Sequence, residues 1–304
     1  MRLYKCVYFG HINLADFNGR YTYLYILMVN VMDKNQQQLL LEIEKLNKAQ
    51  LRIKRKTTFM LGVIALLVLV TATMAWFTLN SFSSIENIQL NITTGVDLRV
   101  DMVNHGPGED NFQLFKKTIT AEMVDQYLAE RDKVPLAEQL LDPVTTSDGI
   151  AFFGEHGSPR VPNQNSYVEF ECYFVGSRDM WVHLSSLGND DFPGTSVTTT
   201  ETGLRAEIIE AVRVSFEKEG DAAAIYEPNR GTPVNGQTTF DLPRPMVYSN
   251  STQLFWLNEY EPVKVTIRIW AEGNDPQCDD DVQSAELDIN LLFSGTDENN
   301  NPFQ

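Results

Sequence analysis

An uncharged run of nineteen residues, Phe59-Met-Leu-Gly-Val-Ile-Ala-Leu-Leu-Val-Leu-Val-Thr-Ala-Thr-Met-Ala-Trp-Phe77, constrains this chain more than any other feature. A helix needs about 20 apolar residues to cross the hydrocarbon core of a bilayer. The run therefore predicts a transmembrane or signal-anchor helix over 59–77. Lys54, Arg55 and Lys56 stand directly before it, and the next basic residue is Arg99. Cytoplasmic flanks are enriched in Lys and Arg, so the N-terminal side is expected inside the cell and the C-terminal part outside. Two processing outcomes remain open. The small residues of Thr71–Ala75 predict cleavage after Ala75 and secretion of the remainder. The uniform apolarity of the run predicts retention as a single-pass anchor in the lipid bilayer, and this second reading is preferred.

Charge divides at the same place. Residues 1–77 carry 10 Lys and Arg against 4 Asp and Glu, a net of +6, whereas residues 78–304 carry 14 against 37, a net of −23. So acidic a segment repels nucleic acid and anionic head groups, which excludes nucleic acid as a partner. It is suited to remaining soluble outside a cell and to holding cations.

Residues 1–31 mix aromatics, Gly and Asn without a period, and Met32-Asp-Lys-Asn reads like the start of a protein. Residues 1–31 are accordingly expected to be a mis-assigned start or a disordered segment. Residues 32–58 read as a cytoplasmic basic helix, with Leu39, Ile43, Leu46, Leu51 and Ile53 near helical spacing. This helix is either a coiled-coil stub or an extension of the span. Fewer than three heptads favour the extension.

Beyond the anchor the period changes from helical to two. Alternation marks strands over 85–92, 96–102, 167–175, 180–187, 208–216, 253–257, 262–270 and 285–293. Thr93-Thr94-Gly95 predicts a hairpin joining the first two, and Gly176-Ser177 punctuates the next pair. Residues 112–141 read as more helical, with Thr120 as a cap for the run Ala121–Arg131. Segments 188–203 and 228–252 are rich in Gly, Pro, Asn and Thr and predict long loops. The expected fold is mainly β, an antiparallel jelly-roll-like β-sandwich with a small helical insertion, forming one domain over 78–304.

No catalytic motif is present. His11, His105, His156 and His183 show no metal-ligand spacing, and neither a nucleophile elbow nor a phosphate loop occurs. The chain is expected not to be an enzyme. One constellation stands out between the last two strands, Glu272-Gly-Asn-Asp-Pro-Gln-Cys-Asp-Asp-Asp281. Its Glu272, Asp275, Asp279, Asp280 and Asp281 supply the hard oxygen donors that Ca²⁺ takes from loops. The alternative is a solvated acidic turn. Cys172 and Cys278 lie in the presumed outer domain, as a disulfide or as two free thiols.

Several stretches together resemble exported surface proteins of Firmicutes: a basic-flanked apolar segment running into Ala75-Trp-Phe-Thr78, the strand Val212-Arg-Val-Ser-Phe216, and the late Trp270-Ala-Glu-Gly-Asn-Asp-Pro-Gln-Cys278. More distantly the chain is similar to the camelysin and TasA-like matrix proteins. That resemblance implies a jelly-roll sandwich and a place in surface fibres, built by a strand of one subunit completing the sheet of the next. Camelysin's classification as a metalloprotease does not carry over, because no zinc motif is present. The resulting expectation is a non-enzymatic cell-envelope or extracellular-matrix protein that self-assembles or meets other envelope proteins. A ligand- or Ca²⁺-binding ectodomain of an adhesion or sensing system is the alternative, and a surface hydrolase is the second alternative.

Overall fold

The computed structural model describes residues 20–79, 83–93, 97–188, 192–228, 237–282 and 285–303, without the side chains of 20–33, 69–79, 137, 155 and 280. The chain divides into two compact units, Met1–Phe77 and Thr78–Gln304.

The first unit is dominated by one helix, α1 (Arg20–Leu79), which is sixty residues long. At 1.5 Å per residue it extends about 90 Å. It includes residues 20–31, and residues 1–19 of the expected false start lie outside the description. Among the described residues, no helix is long and apolar enough to cross a membrane. Only 59–68 of the expected span is described in side-chain detail, and ten helical residues rise about 15 Å, half of a hydrocarbon core.

The second unit is mainly β and contains two mixed sheets. In chain order its described strands are β1 (Ser83–Ile92), β2 (Leu98–Asp101), β3 (Thr118–Ile119), β4 (Leu140–Leu141), β5 (Tyr167–Gly176), β6 (Met180–Leu184), β7 (Ser196–Thr198), β8 (Val212–Lys218), β9 (Ala224–Tyr226), β10 (Thr239–Phe240), β11 (Gln253–Leu257), β12 (Val263–Ala271) and β13 (Glu286–Thr296). One sheet runs β11-β6-β13-β1-β3, with β4 also on β1 and β7 also on β13. The other runs β10-β9-β8-β12-β5-β2.

Several expectations are corrected. The sheets are not purely antiparallel: β1 pairs with β13 in parallel from Ser84 opposite Glu286 to Ile92 opposite Phe293, and β9 pairs with β10 in parallel. Alternation specifies which face a residue occupies, not the direction of its neighbour strand. The expected hairpin of β1 and β2 does not form, because β1 joins the first sheet and β2 pairs with β5 in the second. Likewise β5 and β6, either side of Gly176-Ser177, belong to different sheets. A turn signal shows that the chain reverses, not that it stays in one sheet. The helical insertion contracts to α2 (Glu109–Phe112) and α3 (Ala121–Ala129), and Thr120 occupies the N-cap of α3 without a side-chain bond to its backbone. The two expected loops each contain a short strand, β7 and β10.

The core explains the two sheets. In β1 a bulge between Ile85 and Asn87 resets the alternation, so Ile85 and Ile88, three residues apart, are both fully buried. Aromatic rings reach from one sheet to the other. Phe174 of β5 meets Phe255 of β11 and Phe293 of β13 edge-on, with ring centroids 5.2 and 4.9 Å apart. Such pairs contribute about 0.5–1.5 kcal/mol beyond the area they bury. On the opposite face of β12, Arg268 is gripped by Glu169 of β5 and Glu217 of β8, each at 2.6 Å.

His183 of β6 is fully buried between two hydroxyls, Thr252 Oγ1 on its Nδ1 and Thr296 Oγ1 on its Nε2, both at 3.0 Å. Burial pulls its pKa down to about 4, partly opposed by the bond with Thr252. The folded pKa is thus below the unfolded value of about 6.5, and between these values the unfolded chain binds the extra proton. Stability contributed by neutral His183 is complete above pH 6.5 and is lost as pH falls toward 4. Urea unfolding of residues 78–304 across pH 4–7 is expected to show a loss on the order of 3 kcal/mol from this group. The His183→Gln variant is expected to lack that part of the slope; identical slopes would refute the assignment.

Candidate functional site

The acidic loop Glu272–Asp281 does not gather its carboxylates around a vacant centre. It splits them. Its inner half closes on Arg213, the second residue of β8, whose side chain is fully buried. Arg213 Nη2 donates to Glu227 Oε1 at 2.9 Å and to Asp275 Oδ2 at 2.5 Å. Its Nη1 donates to the carbonyls of Val212, at 3.1 Å, and Glu210. Glu227 follows β9 and accepts a second bond from Thr239 of β10, at 2.6 Å. Three chain segments are therefore tied through one guanidinium.

Glu272 lies at the end of β12 and is also fully buried. Its Oε2 accepts from Trp270 Nε1 at 3.0 Å and from Gln237 Nε2 at 2.5 Å, and its Oε1 accepts from the Asn274 amide at 3.3 Å. Asp275 Oδ1 accepts from the Gln277 amide at 3.0 Å. These are the turn-forming bonds that Asp and Glu make in tight loops.

The outer half of the loop is different. Asp279 and Asp281 are exposed, and Asp279 caps the amide of Asp281 at 2.9 Å. The side chain of Asp280 lies outside the description. The structure does not bring Glu272, Asp275, Asp279 and Asp281 of the Ca²⁺ expectation together at one point: among the described residues, no three His, Cys, Asp or Glu side chains come together as a metal site. The counter-cation of Asp275 is Arg213, sixty-two residues upstream. The sequence carried a signal for this, since Arg213 interrupts an otherwise apolar strand start, Val212-Arg-Val214. A cation in such a position needs a buried partner.

Of the two readings of Cys172 and Cys278, the structure has the second: both are free thiols. Cys172 sits opposite Val265, with its Sγ 3.5 Å from Met102 Sδ. Cys278 bonds by its amide to the Asp275 carbonyl, beyond the far end of β12. Six strand residues separate the Val265 level from Ala271, about 20 Å at 3.3 Å per residue, against the roughly 6 Å between Cα atoms that a disulfide needs. Burial pushes the Cys278 thiol up to about 12, aided by the charges of Asp275 and Glu272. Burial likewise raises the Cys172 thiol. Both are protonated and unreactive at neutral pH. Lys54, Arg55 and Lys56 are exposed on α1; Ala75 lies within α1, with its side chain outside the description.

An open cleft of about 440 Å³ lies between the end of β2, α3 and β5. No sequence motif marked it, because its residues come from three distant segments. At its floor the buried carboxylate of Asp101 accepts from the Val103 amide at 3.3 Å and faces His105 Nε2 at 3.2 Å and Lys116 Nζ at 3.9 Å. On its wall the Arg131 guanidinium lies 3.6 Å from the Tyr127 ring centroid. Burial, then the charge of Glu171, raises the Tyr127 phenol to about 12 and keeps it neutral. The cleft thus presents both signs of charge and an aromatic wall. The His105 ring meets Phe115 edge-on, with centroids 4.8 Å apart. Its chemistry is that of a polar binding surface.

Comparison with known proteins gives no match, whether to a family model, a curated protein or a solved structure.

Removing one member of a buried charge group strands the others at a cost of about 3–5 kcal/mol. Arg213→Met is expected to lower the unfolding free energy of residues 78–304 by that amount. The triple variant Arg213→Met, Glu227→Gln, Asp275→Asn is expected to recover part of the loss, as read by urea denaturation. A triple variant weaker than the single one would refute the charge account.

Proposed function

We propose that this chain is a non-enzymatic cell-envelope protein. The segment 59–77 anchors it in a membrane, Lys54, Arg55 and Lys56 hold the N-terminal side in the cytoplasm, and the two-sheet unit is an acidic jelly-roll-like β-sandwich displayed outside. The observation that carries this reading is the position of β1. This strand begins six residues after the end of the apolar run, and it is an interior strand, with β13 on one edge and β3 and β4 on the other. A folded unit joined to its anchor through an interior strand is held by its core rather than by a fraying end. The charge split of +6 and −23 supports the same orientation.

The place of β1 also bears on fibre assembly. Strand exchange with a neighbouring subunit requires β1 to leave eight parallel pairings and to expose Ile85, Ile88, Leu90 and Ile92. The resting form in this reading is the closed single subunit. Self-assembly by strand exchange then needs a partner strand that replaces β1 before it is released.

A second reading, a ligand-binding ectodomain, is favoured by the mixed-charge cleft of Asp101, Tyr127 and Arg131. It no longer draws on Ca²⁺, because Glu272 and Asp275 are engaged within the fold. The two readings are compatible, since a displayed domain is the natural carrier of such a cleft.

Protease treatment of intact cells carrying the full chain tests the proposal. The expected result is loss of the C-terminal unit, protection of residues 34–56, membrane fractionation of the protein, and a mature N-terminus upstream of Ala75. A C-terminal unit protected in intact cells would overturn display. A mature N-terminus at Trp76, with the product in the medium, would replace the anchored form with a released one.

A further inference from the structure

The continuity of α1 changes the reading of its apolar residues. Within the described side chains a single heptad frame runs without a break from Gln36 to Leu67. Leu39, Leu46, Ile53, Met60 and Leu67 occupy one seam position, called d, and Gln36, Ile43, Gln50, Thr57 and Ile64 occupy the other, called a. This is more than four heptads, beyond the stub that the residues around 36–55 suggested. In the single chain Leu39, Ile43, Leu46 and Ile53 are 60, 47, 67 and 63% exposed, which is too much apolar surface for a solvated helix to leave open. The charged residues between them, Glu42, Glu44, Lys45, Lys48 and Arg52, fall outside the seam, where Glu44 and Lys48 pair at 2.7 Å.

We infer that a second copy of this chain docks on this seam, in parallel and in register, as a two-stranded coiled coil. The distribution of polar residues selects both the partner and its direction. Every d residue in the frame is apolar, and all three polar seam residues, Gln36, Gln50 and Thr57, are at a. A parallel pair places a opposite a, so Gln36 meets Gln36 and Gln50 meets Gln50. An antiparallel pair places a opposite d and buries each glutamine against an aliphatic side chain. Polar residues at a are the device by which coiled coils fix register and strand number. The flanking positions agree. In a parallel pair Glu42 faces Asn47, Ala49 faces Lys54 and Lys56 faces Leu61, so no like charges oppose across the seam.

The area is sufficient. Burying an aliphatic side chain is worth about 1.5–3 kcal/mol at about 25 cal/mol per Å², which corresponds to roughly 60–120 Å² each. The seven aliphatic seam residues of two helices then cover about 800–1,700 Å², and stable interfaces start near 1,200 Å². If the last three lie in lipid, the four on the water side still cover about 500–1,000 Å². Confinement of both helices to one membrane then raises their effective concentration. The inference uses the helix alone and holds whether or not 59–77 crosses a bilayer.

Site-directed cross-linking in the full chain tests it. In a Cys6→Ser, Cys278→Ser background, single cysteines are placed at Ile43, Leu46, Gln50 and Ile53, and as off-seam controls at Leu41, Lys45 and Lys48. Mild oxidation is expected to give disulfide-linked dimers at all four seam positions, about tenfold more than at the controls, because a and d residues face their own copies in a parallel pair. Same-number bonds at four successive seam positions require parallel register. Equal yield at seam and control positions, or no dimer at any, would overturn the inference. The double variant Ile43→Asp, Leu46→Asp is expected to abolish cross-linking at Gln50→Cys while leaving urea unfolding of the β unit unchanged. Persistence of the dimer would equally overturn it. Fractionation of the same samples reports membrane anchoring separately.

Discussion

The parallel ladder between β1 and β13 is the interaction on which the β unit depends. It joins the first and last long strands, so nearly two hundred residues lie in the loop it closes. Loop-closure entropy grows only logarithmically, about 0.6 kcal/mol for each doubling of length. What offsets it is concentrated in the two strands themselves. Ile85, Ile88, Leu90 and Ile92 on β1 and Leu287, Ile289, Leu291 and Phe293 on β13 are all buried to within 1%. At roughly 1.5–3 kcal/mol for each such side chain, the ladder outweighs its closure cost several-fold. The kinetic consequence is harder to offset. A contact of such sequence separation forms late, and it cannot form until the C-terminal strand has been made.

Charge inside the unit is handled in two ways, and the difference follows from water. Arg268 on β12 is itself buried, but its partners Glu169 and Glu217 on the neighbouring strands are partly exposed. Its carboxylate partners can still exchange with water, so the pairs act mainly as cross-strand complementarity. Arg213 has no such exchange, because it and both its carboxylates are buried. A group of that kind is weak evidence for stability, since apolar replacements often serve as well, but breaking it in half is costly. Its position accounts for its presence. It ties the start of β8, the end of β9 and the loop after β12, the places where the second sheet runs out of ladder hydrogen bonds.

Much of this was legible in the residues. Period-two alternation located the long strands to within a few positions, because burial on one face of a pleated strand leaves no other pattern. Strand direction and sheet membership were not legible, since Thr93-Thr94-Gly95 and Gly176-Ser177 encode reversal and nothing about which sheet receives the next strand. The acidic loop shows a related limit. Carboxylate density along the chain suggested a bound cation, whereas the charge that Asp275 meets in the fold is Arg213, a side chain of a strand sixty-two residues away. Nothing local told whether Cys172 and Cys278 would meet. The pairing of β5 with β12 sets their levels, and no local pattern reveals that register. The cleft of Asp101, Tyr127 and Arg131 left no trace, being assembled from β2, α3 and β5.

The helix shows the same limit from the other side, because its residues carry two codes in one stretch. In the proposed reading Lys54, Arg55 and Lys56 specify topology by their charge, and the heptad frame specifies pairing by its spacing. Basic residues crowded beside a seam would normally oppose association of two copies. Here Lys54 and Lys56 occupy the flanking positions, and in a parallel pair their counterparts are Ala49 and Leu61, while Arg55 lies on the outer face. The cluster therefore does not oppose its own copy. A shift of the frame by one residue would set Lys56 in the seam itself, where an unpaired ammonium would have to be desolvated. The register that makes the seam apolar is thus also the register that leaves the basic cluster outside the seam.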